Sequence, residues 1–324
     1  MFAARLIAVS FSVFVLVYGG LSLAVSCGWR KFWLYSHHHS RAYRERYPAQ
    51  HVADLLFGLR LLPLLSAAAV TVVFTVPSFV LLEPPSIEEP IGIAPLLLAV
   101  CGVMLVLLGA VNATRALKSA SRAITVWVRE GKLVESRGRV PVVRISQVVP
   151  ALTAAGILKP RILMSGAAAF LLTEKELQTA LRHELAHVRG RDNLKKLLLR
   201  LVVFPGMASL EAAWLEATEL AADDAAVFSA SEALDLAAAL IKLSRWSPAE
   251  AQVDLTAALV HSHLAVMNAR VERLIAWSEE RRVPSPRLYS PWTAGALLAM
   301  AAGLAFTYGQ LLVRVHSATE WLVR

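Results

Sequence analysis

Two histidines four residues apart with a glutamate beside the first, His183-Glu184-Leu185-Ala186-His187, mark the chemistry this chain is equipped for. On a helix, side chains at i and i+4 leave the same face, so both imidazoles can grip one metal ion. Glu184 then lies where it can take a proton from a water whose pKa the ion lowers to about 7. Downstream, Glu219-Leu220-Ala221-Ala222-Asp223 offers two carboxylates at the same i, i+4 spacing. Glu219 is suited to complete a His2Glu set with one corner left for water, and Asp223 to hold a ligand histidine through its other ring nitrogen. Glu216, about one turn earlier on nearly the same face, stays open as an alternative third ligand, because spacing along a helix cannot choose between them. His261 and His263 are candidate donors to a tetrahedral intermediate. The tract His37-His38-His39 has no carboxylate or cysteine cluster near it and reads as a solvated loop. The two cysteines, Cys27 and Cys101, both fall in apolar stretches, so neither a disulfide framework nor a thiolate metal site is expected. The cofactor expected is one Zn2+ per chain, zinc being favoured by ligand type.

These residues need helices to carry them, and the sequence supplies the signals. Thr173-x-x-Glu176 is a capping box, after which Leu177, Leu181 and Val188 recur on one side and Gly190 marks a stop. A second helix is expected from Asp192 to an interruption at Pro205-Gly206, and a third from about Ala208 to Phe228. Residues 232–246 and 264–278 also read as helical; Arg270 and Arg273, about one turn apart on the latter, are candidates to pair with acidic residues near the site or with lipid headgroups, a snorkelling surface role being the default. Upstream, the β-branched runs Ile124–Val128 and Val140–Ile145, with turn signals at Glu130-Gly131 and Arg137-Gly138, predict a small sheet, joined by a short strand at Arg161–Ser165.

The chain around this insert is apolar: 56% of its 324 residues are hydrophobic and the mean hydropathy is +0.55. A hydrocarbon core takes about 20 apolar residues of helix to cross. Four stretches without Asp, Glu, Lys or Arg meet that length, at about 6–27, 61–82, 91–111 and 292–313. The run Leu197–Met207 is too short and carries Arg200, which predicts a buried or interfacial helix. The net charge of +9 does not point to nucleic acid, because many basic residues sit where orientation signals belong. Arg30, Lys31, Arg41, Arg44 and Arg46 follow the first span, whereas Glu83–Pro90 after the second holds three acids and no base. Positive charge returns at Arg115, Lys118, Arg122, Arg129 and Lys132, and again at Arg281, Arg282 and Arg287. By the positive-inside rule the N-terminus is external and the insert cytoplasmic. Charge is heavier after the first span than before it, so a retained helix is expected in place of a cleaved signal peptide.

Pro160-Arg161-Ile162, His183 to His187 with Arg191-Asp192 after it, and Glu219 to Asp223 together resemble the BlaR/MecR-type membrane metallopeptidases, as does the order of spans. More distantly they resemble the HtpX heat-shock proteases and the CAAX-prenyl membrane proteases, which share the gluzincin type of site. The resemblance implies His183, His187 and Glu219 as ligands and Glu184 as the catalytic residue. It also implies that the strand Arg161–Ser165 is an edge strand that pairs with substrate backbone. The expected molecule is a mainly α membrane protein: three transmembrane helices in residues 1–113, a cytoplasmic zincin-like α+β metallopeptidase domain in 114–290, and a fourth transmembrane helix with a short external tail in 291–324. Its expected place is the plasma (inner) membrane. Its expected work is hydrolysis of peptide bonds in a cytoplasmic protein, a transcriptional repressor being one candidate, or in its own chain, during signal transduction. Quality control of membrane proteins and a non-catalytic zinc-containing receptor are the alternatives. Only about eleven residues follow Val313, so no penicillin-binding sensor domain is expected in this chain.

Overall fold

The computed structural model describes residues 2–36, 48–84, 91–129, 131–137, 140–146, 151–204, 206–246, 256–258, 264–277 and 291–323. Three helical segments in it are long and apolar enough to cross a membrane: Phe2–Phe32, Ala49–Leu82 and Ile93–Arg129. The first lies in α1 (Phe2–Ser36) and the third is α4 (Ile93–Arg129). Between them, α2 (Ala49–Ala69) passes through a π-helical stretch at Val70–Thr75 into α3 (Val76–Leu82). All three outrun the apolar stretches expected from composition. In α4 the reason is plain: residues 112–129 contain neither Gly nor Pro, and nothing stops the helix.

That extension overturns one expectation. Ile124–Val128 is not a strand but the last turns of α4. As a helix it places Ile124, Trp127 and Val128 at i, i+3 and i+4, and all three pack onto Val143, Ile145, Ala155 and Leu163 of the sheet. Tertiary packing thus overrides the β-branched propensity of the run.

The sheet has five strands among the described residues: β1 (Lys132–Arg137), β2 (Val140–Ile145), β3 (Leu152–Ala155), β4 (Arg161–Ser165) and β5 (Thr256–Ala258), in the order β1-β2-β4-β3-β5. β2 and β4 run parallel, and the other pairs are antiparallel. β4 is therefore interior, hydrogen-bonded on both sides, and the edge-strand expectation for Arg161–Ser165 fails. The strand beside the helix that carries His183 and His187 is β3, and β5 covers its outer edge through Thr153↔Ala258, Ala154↔Ala257 and Ala155↔Thr256.

After α5 (Gly166–Leu171) comes α6 (Glu174–Gly190), which opens on the expected capping box. Thr173 N–H donates to Glu176 Oε2 at 2.8 Å while Glu176 N–H donates to Thr173 Oγ1 at 3.4 Å. Glu176 also receives Lys242 Nζ at 2.7 and 2.8 Å from α9 (Ala230–Trp246). Leu236, Leu240 and Leu243 of α9 are fully buried and close the core with Leu152, Ile162, Met164 and Leu181. Burying each such leucine contributes about 1.5–3 kcal/mol.

The helix α7 (Asp192–Leu201) ends before the chain turns back into α8 (Ala208–Ala226). The stretch between them settles against α1, α2 and α4. A Cβ on Gly109 of α4 would stand 2.5 Å from the Leu201 carbonyl oxygen, so glycine is needed for this approach. Arg60 of α2, 5% exposed, donates to the Val202 carbonyl at 2.8 Å, and Tyr18 of α1 meets Phe204 edge-on. Non-helical backbone is tolerated at such a place because protein groups satisfy it. α2 also packs on α8, with Ala53 and Leu56 against Leu210, Trp214 and Ala217. The last described helices are α10 (Leu264–Ile275) and α11 (Pro291–Val323), and α11 packs on the π-helical stretch through Tyr308, whose hydroxyl donates to the Val73 carbonyl at 2.7 Å.

The capping box sets the start of the helix that bears both histidines. Thr173→Ala should cost about 1 kcal/mol and lower the melting temperature of the purified chain by about 2–4 °C. Thr173→Ser, which keeps the hydroxyl, should leave it near the parent value in the same thermal melt.

Candidate metal centre

His183, Glu184 and His187 leave α6 toward the interior and are 0, 0 and 2% exposed. Glu219 comes from α8, which crosses the same region. Its Oε2 lies 3.6 Å from His183 Nε2 and its Oε1 3.6 Å from His187 Nε2, while the two Nε2 atoms are 3.0 Å apart. Asp223, one turn further along α8, places Oδ1 2.9 Å from His183 Nδ1. The carboxylate that converges with both rings is Glu219; Glu216 does not belong to that group. His261 and His263 lie outside the described residues, as do His37, His38 and His39.

Several residues of the site were not read from the sequence in their present roles. Asp192, at the start of α7, lies 2.7 Å from His187 Nδ1. It reaches there because Arg191 adopts a left-handed conformation, φ 53°, and turns the chain between α6 and α7. Gly190 is part of α6, and a Cβ on it would meet Asp192 Oδ1 at 2.9 Å, so its small size admits the carboxylate. Arg270 of α10 corrects the snorkelling expectation. It is 1% exposed, donates through Nε and Nη2 to the two oxygens of Asp223 at 2.8 and 2.7 Å, and through Nη1 to Glu219 Oε2 at 2.8 Å. Its signal in the sequence was a lone arginine on the inner face of an amphipathic helix, and a solvent-facing arginine looks the same until the partner helix is placed. Lys196 of α7 is the third: burial pulls its ammonium pKa down, against the opposing fields of Glu219, Asp192 and Glu184.

These charges set the protonation of the site. Burial raises the Glu219 carboxyl, but Arg270 and His187 outweigh it and hold the group well below the usual carboxylate range. Burial acts the same way on Asp223, and Arg270 and His183 bring it down to about 2. For His183, burial disfavours the charged ring, yet Asp223 and Glu219 prevail and raise its pKa to about 9. Glu184 goes the other way: burial, with Glu219 adding to it, pushes its carboxyl up. Its Oε2 accepts the Ala154 N–H of β3 at 2.6 Å, and its Oε1 is covered and makes no hydrogen bond.

The donor set fits a metal ion. With Asp223 and Asp192 facing the two Nδ1 atoms, the Nε2 atoms are turned toward one another. At 3.0 Å they share a proton, in line with the raised pKa of His183, and a metal ion would take that proton's place. Tetrahedral bonds of about 2.0–2.1 Å put neighbouring donors roughly 3.4 Å apart, close to the 3.0 and 3.6 Å spacings found. Two imidazoles, one carboxylate and a neighbouring glutamate make the donor set of a metallopeptidase. The family model described as BlaR1 peptidase M56 matches residues 83–274, more than half of the chain and the whole of this centre. The chain belongs to that family, which makes it a membrane metallopeptidase of the BlaR1 type. No curated protein matches it.

If the carboxylates orient the rings, Asp192→Asn and Asp223→Asn should each weaken Zn2+ binding about 10–100-fold, read by competition with a chromophoric chelator. Arg270→Lys should also weaken it, because an ammonium cannot reproduce the fork on Asp223.

Proposed function

We propose that this chain is a zinc-dependent endopeptidase that cuts a peptide bond in a cytoplasmic protein during signal transduction, a transcriptional repressor being one candidate from the family likeness. His183, His187 and Glu219 hold the ion, Glu184 is the general base, and Asp223, with Asp192, orients the rings. The observation that carries the reading is the uncommitted, buried Oε1 of Glu184 beside three converging metal donors.

The ion, when bound, supplies the Lewis acidity that polarises the scissile carbonyl and makes water acidic near neutral pH. The protein's own groups do the rest. Glu184 is held at Oε2 by the Ala154 N–H, which leaves Oε1 to accept a proton from the attacking water and later to return it to the departing amine. Burial pushes its carboxyl up, which makes it a stronger base than an exposed glutamate. Arg270 keeps Glu219 ionised and in place, and the two aspartates keep both Nε2 lone pairs turned inward. Extended substrate backbone would pair with β3, which places a peptide across Glu184. β5 lies on that edge, which favours the chain itself as a second substrate.

In this reading α11 is the fourth transmembrane helix, its N-terminal neighbour segment and the zinc domain are cytoplasmic, and the N-terminus of α1 is external in the plasma membrane. The charge asymmetry of the loops and the packing of Tyr308 and Phe74, ring centroids 5.8 Å apart, support it.

Glu184→Gln should cut turnover at least about 100-fold while the chain keeps its ion. Fragments in membranes and cytosol of cells carrying each form would be compared by mass spectrometry. One regulatory protein losing its fragment supports the reading, and many membrane proteins accumulating favours quality control. No fragment that depends on Glu184, with metal retained, leaves a non-catalytic receptor.

A further inference from the structure

A second convergence of ligating side chains lies at the end of the membrane helices remote from the metal centre, on residues that the peptidase reading does not use. Glu83 closes α3 as its C-terminal cap and is only 6% exposed. Its Oε1 lies 2.8 Å from Arg5 Nη1 of α1, an ion pair whose two side chains are each 3% exposed. Its Oε2 faces His316 Nε2 of α11 at 3.7 Å, and the same Nε2 lies 3.9 Å from Glu320 Oε1, one turn further along that helix. One ligand atom from each of Glu83, His316 and Glu320 falls within 4.8 Å of the others. His316 Nδ1 is covered and makes no hydrogen bond.

The arrangement has the chemistry of a cation site. His316 and Glu320 at i and i+4 present an imidazole and a carboxylate on one face of α11. Glu83 supplies the third donor from a different helix, and it is held in place because Arg5 takes its other oxygen. The spacings of 3.7 and 3.9 Å exceed the roughly 3.4 Å edge of a tetrahedral site by a few tenths of an ångström, a closure that side-chain rotation supplies. One nitrogen and two oxygens suit borderline divalent ions such as Zn2+, Ni2+ or Co2+ better than Mg2+ or Ca2+, which call for all-oxygen shells. An ordinary ion-pair cluster explains Arg5 with Glu83; a cation site also accounts for one imidazole nitrogen set between carboxylates from two different helices.

We propose that Glu83, His316 and Glu320 form a second divalent-metal site, one that ties α11 to the end of α3. Its position gives it a mechanical partner. From Glu83 back to Ala53 runs one continuous helical rod, roughly 45 Å at 1.5 Å per residue, and Ala53 packs on the helix that carries Glu219.

The test is a metal count on the purified full chain in detergent, by equilibrium dialysis at micromolar free Zn2+ with mass-spectrometric quantification. The parent chain should hold two equivalents. The double substitution His183→Ala with His187→Ala should hold one, and adding His316→Gln with Glu320→Gln should remove it. If the catalytic-site variant does not fold, the parent background suffices: His316→Gln alone should lower two equivalents to one and leave cleavage dependent on Glu184. A catalytic-site variant that binds no Zn2+, or a parent count unmoved by His316→Gln and Glu320→Gln, reduces the cluster to ion pairs and overturns the proposal. Loss of Glu184-dependent cleavage with the second equivalent intact would count against the peptidase reading and not against this one.

Discussion

Everything at the metal centre depends on two imidazole rings being unable to turn. Each is held at Nδ1 by its own carboxylate, Asp223 for His183 and Asp192 for His187. That fixes the tautomer and aims both remaining lone pairs at one point. The carboxylates are fixed in turn, Asp223 by the fork of Arg270 and Asp192 by the left-handed turn at Arg191 and the missing side chain of Gly190. A buried cluster of this kind costs desolvation on every member, and it persists because each charge has an opposite one within hydrogen-bond distance. Arg270 carries the largest share: removing it strands two carboxylates in the interior at once.

The same helix that offers Glu219 and Asp223 to the rings offers Leu210, Trp214 and Ala217 to α2 on its other side. The metal centre is therefore not a soluble domain hung beneath a membrane anchor. α2 backs the helix that carries Glu219, and residues 201–204 are wedged among the membrane helices through Gly109, Arg60 and Tyr18. A shift of α2 cannot leave α8 where it was, because close-packed interfaces move together or repack.

Access to the site is set by β3. Its Ala154 N–H anchors Glu184, its Ala154 carbonyl is held by Asn193 at 3.0 Å, and its free edge is taken by β5. In the proposed reading an extended peptide would take the row of backbone groups on which β5 now lies.

The sequence by itself determined the local parts: the capping box at Thr173, the two histidines one turn apart, the carboxylates of α8 at matching spacing, and the places, though not the lengths, of the first three membrane segments. These are all relations within a few residues of one helix, where 3.6 residues per turn leaves little choice. It could not decide between Glu216 and Glu219, because that choice depends on how α8 is rotated against α6. It missed the role of Asp192 and left pairing with site acids as only an alternative for Arg270 for the same kind of reason, since each reaches its partner only after a chain reversal or from an element 47 residues away. The strand expected at Ile124–Val128 and the edge expected at Arg161–Ser165 failed on tertiary grounds. A β-branched run becomes helix when its i, i+3, i+4 face has a sheet to cover, and a strand is interior or edge only by virtue of its neighbours. Secondary structure and motif chemistry are local properties of the chain; convergence, burial and strand order exist only once distant segments meet.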